Sequence, residues 1–239
     1  MFERMRKEIH GIANREILSN ENILIESRME AYAKQIYSIM KRFPELNFEG
    51  NCWRNANSSA KRFHDDSSWF EVATACWNTA ALFSELALYK IANPEGNEED
   101  EAIKLSCSLF QKGYFTVHYK GSNLLYSAAG ILSFLQKKTV NSPSQDLQSE
   151  NLKMFITLLL QQAQEIIVIK SIRDGKKGSI IAKLAWQCAD YCENLEELID
   201  GNEFFKSDSK QIKIMTIMKM EFFQAIAFYS QGTVHIFHM

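Results

Sequence analysis

Proline is scarce in this 239-residue chain, which carries only Pro44, Pro94 and Pro143. Each falls between helical patterns, where a residue without an N–H is tolerated. The long proline-free segments between them favour helices. Sustained period-2 alternation is also lacking, apart from the glycine-bracketed, strand-like stretch Gly113–Gly121. Neither sign of charge dominates: 27 Lys and Arg against 29 Asp and Glu leave a net charge of −2. With no basic stripe, phosphate-driven nucleic-acid binding is not expected. No run reaches the roughly 18–20 apolar residues of a membrane span. Phe155–Leu160 is short and gives way to Gln161-Gln162. The N-terminus, MFERMRKEIHG, lacks the apolar core of a secretory signal.

The five cysteines (Cys52, Cys76, Cys107, Cys188 and Cys192) are odd in number and lack CxxC spacing. Without an export signal they are expected as reduced thiols in the cytosol. Cys188 and Cys192, one helical turn apart, read as small buried hydrophobes. The chain has no GxSxG, no phosphate-cradling GxxxxGK and no GxGxxG. His235-x-x-His238 finds no third ligand nearby, and zinc needs three or four. His64-Asp65-Asp66 reads as a solvated loop cluster. With no convergent site among the histidines, neither an enzyme, a cofactor nor a small-molecule substrate is expected.

What is present is helical periodicity. Met1–Leu18 is a charged amphipathic stretch. Asn20 or Asn22 caps a helix to about Arg42, with Met29, Tyr32, Ile36, Ile39 and Met40 at three- and four-residue spacing. Polar Glu45–Asp66 reads as a long connection anchored by Trp53. A helix over Ser67–Asn93 follows, with Ser67 or Ser68 as cap and a small-residue face of Ala73, Ala80, Ala81, Ser84 and Ala87. Glu98–Gln111 starts another with three acids in its first turn, favourable to the helix dipole. Helical character resumes near Tyr126 and runs to Lys138. Ser142-Pro143-Ser144-Gln145 fits a capping-box start. Ser207 or Asp208 caps a last helix through Ile214, Ile217, Met218, Phe222, Ala225 and Tyr229.

Leu158–Tyr191 organises the rest. It reads as two helices broken at Asp174-Gly175. The first is apolar on nearly every side, so burial from several directions is expected. The second has one stripe of Ile181, Ala185, Ala189 and Cys192 and another of Ile180, Leu184 and Tyr191. The latter borders the polar side of Lys183, Gln187 and Asn194, and is either a second packing seam or an exposed docking surface. Lys170, Arg173, Lys176 and Lys177 cluster at the break. They form either a solvated turn or a contact for anionic lipid or an acidic partner.

Several stretches in order resemble the Bro-one domain of the ALIX-like endosomal sorting adaptors. They are Tyr32–Ile39 with Arg42-Phe43-Pro44; Trp53 with Ala56; Phe70-Glu71 with Asn78–Leu82, Ser84 and Ala87; Ala128-Ala129-Gly130; Gln162–Glu165; and Ile180–Ala185 with Ala189-Asp190-Tyr191. The resemblance covers nearly the whole chain. It implies an all-α fold, a curved antiparallel helical solenoid with tetratricopeptide-like hairpins. It implies a single partial domain over 1–239, without the family's N-terminal β-sheet segment and later helices, and with an insert loop at 112–126. The implied function is a non-enzymatic adaptor that binds the C-terminal amphipathic helix of an ESCRT-III subunit in endosomal and multivesicular-body sorting. The implied location is cytoplasmic, with recruitment to the endosomal membrane. Carried over residue by residue, the docking patch falls on Ile167, Ile180 and Leu184, with an acidic rim at Asp100. The alternatives are a rhophilin-like scaffold for Rho GTPase signalling and, with no clustered-arginine pocket to support it, a helical phosphopeptide binder.

Overall fold

The structure is a computed structural model. It describes residues 22–48, 52–55, 58–92, 128–138, 144–200, 202, 204 and 209–236. Met1–Leu18, the Glu98–Gln111 helix with Asp100, the 112–126 insert with Gly113–Gly121, and His238 lie outside them. In chain order the elements are α1 (Asn22–Arg42), β1 (Cys52–Asn55), β2 (Ser58–His64), α2 (Ser68–Ala92), α3 (Ala128–Lys138), a 3-10 turn (Gln145–Leu147), α4 (Ser149–Arg173), α5 (Gly178–Ile199) and α6 (Ser209–Ile236).

Among the described helices each packs mainly on the next: α1 on α2, α2 on α3, α3 on α4, α4 on α5 and α5 on α6. That is the arrangement of a helical solenoid. One apolar cluster joins α1 to α4 around Ile36, Val72, Phe83, Leu135 and Leu152. Edge-to-face rings stitch it together, Tyr37 on Phe134 at 5.4 Å and Trp77 on Phe155 at 5.0 Å. Between α1 and α2 the buried Tyr32 hydroxyl donates to the buried Glu71 carboxylate. Cys76 is buried in the same core, which pushes its thiol up to about 12.

Three expectations change. Glu45–Asp66 is not an irregular connection but holds an antiparallel hairpin, with Trp53 opposite Phe63 and Arg54 opposite Arg62. Its base is closed by the Asn47–Ser67 bridge and by Phe48 N–H to the Asp66 carbonyl at 2.7 Å. The strands CWRN and SSAKRFH are mostly polar and show no sustained apolar alternation, so periodicity does not mark them. The α4 helix begins at Ser149, after a 3-10 turn over Gln145–Leu147, and Ser142, the cap of the expected capping box, lies outside the described residues. In α6 the residues buried against the protein are Thr216, Phe223, Ala227 and Ser230. The sequence-chosen positions Ile214, Met218, Phe222 and Tyr229 face solvent. The helix has two apolar faces, and periodicity does not say which one packs.

Other expectations stand. Ser67 caps α2, its hydroxyl accepting from the Phe70 N–H at 3.2 Å. By length and composition α4 is apolar enough to cross a membrane. It is nonetheless a core helix, packed against α3 and α5, with Trp77 of α2 and Lys219 of α6 also touching it.

The α4–α5 break is a Schellman turn. Gly175 adopts φ 61°, its N–H reaching the Ile172 carbonyl at 3.0 Å and the Lys176 N–H reaching Ser171 at 3.0 Å. A Cβ at Gly175 would meet no atom within 4 Å, so the penalty for a side chain is purely conformational. Gly175→Ala is expected to lower stability by about 1–2 kcal/mol, the cost of left-handed backbone for an L-residue. Urea denaturation measures it, and an unchanged midpoint would contradict the assignment.

Candidate docking face on the α4–α5 hairpin

The buried stripe of α5 is the one expected. Ile181, Ala185, Ala189 and Cys192 are buried, together with Ala182 and Cys188. The small alanine and cysteine side chains among them let α4 and α6 approach closely. Two polar contacts tie the antiparallel helices α4 and α5 together. Buried Gln164 donates Nε2–H to the Leu184 carbonyl at 3.0 Å, and Gln161 meets Cys188 Sγ at 3.9 Å. The first pins the backbone directly beneath Leu184. The Cys188 thiol is pushed well above its ordinary range by its hydrogen bond to Cys192 and by burial.

On the other side of the groove, α6 is locked in place. Lys219 Nζ pairs with Glu165 Oε2 at 2.5 Å, and the same oxygen accepts from Gln161 Nε2 at 2.9 Å. Trp186 stacks edge-on with Phe228 at 5.1 Å. At 100° per residue, Trp186 lies 200° around α5 from Leu184. The flank bearing Leu184 and Ile180 is therefore nearly opposite the one that meets Phe228 of α6.

On that flank Ile180 is 45% exposed and Leu184 is half-buried against the cluster of Val168, Ala185, Cys188 and Phe223. Tyr191, two turns further on, is also half-buried. Ile167 is half-buried on α4, next to Val168 in the chain. The three described residues assigned to the patch thus lie on one hairpin, near its turn. Asp100 lies outside the described residues. The face is apolar, and its backbone at Leu184 is tied to α4 by Gln164. It offers no nucleophile or acid–base pair, and among the described residues no group of acids, histidines and cysteines is placed to hold a metal.

Two apolar features were not foreseen. A cleft of about 390 Å³ lies between α4, α5 and α6, lined by Phe155, Leu158, Leu195, Ile212 and Met215, among others. Ile169 and Ile172, on the last two turns of α4, are 54% and 45% exposed, on a helix that is otherwise packed from several directions.

A family model described as BRO1-like domain matches residues 1–236. Among curated proteins, "ALG-2 interacting protein X" of Dictyostelium discoideum is 28% identical over 167 residues, 68% of this chain and 18% of that protein. "Vacuolar protein-sorting protein bro-1" of Neurospora crassa is 26% identical over 234 residues, 97% of this chain and 20% of its own length. The chain thus spans about a fifth of these relatives. Among solved structures, an "ALIX BRO1 CHMP4C complex" superposes with a TM-score of 0.72 at 22% identity, covering 98% of this chain and 63% of that one. At that identity the likeness is one of fold.

Proposed function

This chain belongs to the BRO1-like domain family, and from that premise we propose that it is an adaptor binding the C-terminal amphipathic helix of an ESCRT-III subunit. The observation that carries the proposal is an aliphatic ridge left open on α5. Ile180 is 45% exposed one turn before half-buried Leu184, on the flank facing away from α6. An i, i+4 pair on a rigid hairpin is what an amphipathic helix needs to seat its own i, i+3 and i+4 anchors. Ile167, half-buried on α4, is assigned to the same face on the family resemblance. Asp100 is assigned the acidic rim on the family resemblance alone. A fold relative solved as a complex with CHMP4C and a curated relative named for vacuolar protein sorting support the same assignment. The adaptor acts without catalysis, on the cytoplasmic side of endosomal membranes, in multivesicular-body sorting and membrane remodelling.

A calorimetric titration with synthetic C-terminal helices of ESCRT-III subunits tests this. Ile180→Asp is expected to weaken the best-binding helix at least about 30-fold, the equivalent of a hot spot of roughly 2 kcal/mol. Circular dichroism is expected to be unchanged, because Ile180 is an exposed side chain. Wild-type affinity in Ile180→Asp would remove the site. Binding of an activated Rho GTPase, with none of an ESCRT-III helix, would replace the adaptor assignment with the signalling one.

A further inference from the structure

The turn of the α4–α5 hairpin combines two features that the docking ridge does not use. The first is charge. Between residues 170 and 183 the chain places Lys170, Arg173, Lys176, Lys177 and Lys183 against one acid, Asp174, in a protein of net charge −2. Lys170 is held by Asp174 at 2.9 Å, while Arg173, Lys176, Lys177 and Lys183 are exposed. The second is exposed aliphatic surface. Ile169 and Ile172, 54% and 45% exposed, lie within the last two turns of α4, no more than about 9 Å along the axis from the end of the helix.

Helix stability does not account for Lys177. It occupies the N-cap of α5, where Ser, Thr, Asp or Asn would accept from the first amides, and it makes no side-chain cap. The first turn of α5 has no acid, so the positive end of the helix dipole faces a cation. A local rule broken at the surface, on the same turn that follows the exposed isoleucines in the chain, is the pattern of a functional site.

We propose that this turn, with Arg173, Lys176 and Lys177 around Ile169 and Ile172, docks on the surface of an anionic lipid bilayer. The basic side chains meet lipid phosphates and carboxylates while the two isoleucines enter the interface. The Schellman turn at Gly175 holds the tip rigid, so little ordering is lost on contact. The inference goes beyond the adaptor assignment and does not depend on it: Ile169 and Ile172 are separate from the Ile167–Ile180–Leu184 ridge.

Co-sedimentation of the full chain with phosphatidylcholine vesicles, with and without about 30 mol% phosphatidylserine, tests it. Wild type is expected to bind the anionic vesicles selectively and to be released by about 0.5 M salt. Lys177→Asp reverses one charge and is expected to weaken that binding about 30-fold, at about fivefold per unit charge. The same substitution supplies the missing N-cap, so its thermal midpoint is expected to stay level or rise, which separates lost binding from lost folding. Affinity for the ESCRT-III helix is expected to be unchanged. Equal binding to neutral vesicles, or wild-type binding by Lys177→Asp, would overturn the proposal. So would capture of poly-glutamate but not of anionic vesicles, which would make the patch an acidic-protein site.

Discussion

Phe223→Ala is expected to destabilise the fold by about 3–5 kcal/mol, the range for emptying a buried phenylalanine site. Phe223 is 1% exposed and sits among Val168, Ala185, Cys188, Ala189 and Ala227. Those neighbours are small, and they belong to three helices whose spacing is set elsewhere. Lys219–Glu165 fixes α6 to α4, and the Trp186–Phe228 stack fixes α6 to α5. The hole therefore cannot close by a side chain swinging in. Phe222, its neighbour in sequence, is 59% exposed, and Phe222→Ala is expected to cost no more than about 0.5 kcal/mol. Urea denaturation of the two variants makes the comparison. Equal midpoints for the pair would mean that α6 does not pack on the α4–α5 groove through Phe223.

Leu184→Asp is expected to abolish binding of the ESCRT-III helix, a larger effect than that of Ile180→Asp. Leu184 is the lower of the two ridge residues, half-buried against Val168 and Ala185, with its backbone carbonyl held by Gln164. A partner helix that covers it would remove the remaining water from a carboxylate at that position. A charge left unpaired in a closed interface costs several kcal/mol. In the free protein the same carboxylate keeps part of its hydration, because the position is open on one side. The loss in binding is therefore expected to exceed the loss in stability. Leu184→Met, which conserves volume and polarity, is expected to retain affinity. Titration calorimetry and a thermal melt, run on both variants, measure the two quantities separately. Binding by Leu184→Asp at wild-type strength would place the helix elsewhere.

Several elements were legible without coordinates. The helix over Asn22–Arg42, with Met29, Tyr32 and Ile36 inward, and the Ser67 cap on the following helix both came from spacing and cap chemistry. So did the break at Asp174-Gly175, because only glycine adopts a positive φ cheaply. The two stripes of α5 were also readable, and the inner one, Ile181–Ala185–Ala189–Cys192, is buried. The β1–β2 hairpin was not readable. Its strands are mostly polar and lack sustained apolar alternation, so no local signal marks them. The facing of α6 was missed for a different reason. Phe222 and Phe223 are equally apolar, and periodicity counts both.

Composition and spacing alone determined that this chain is built of helices, where most of them start and stop, and that the α4–α5 pair carries more apolar surface than one contact consumes. Those are local properties, set by backbone hydrogen bonding, caps and the 3.6-residue repeat. Which apolar face is covered is not local. The pairing of Lys219 with Glu165 and the insertion of Phe223 over Ala185 and Ala189 put α6 on one flank of the hairpin. That placement left Ile180 and Leu184 on the other flank and Ile169 and Ile172 at the tip. A helical wheel ranks faces by hydrophobicity, but only the neighbouring helix, by taking one, decides which remain open to a partner.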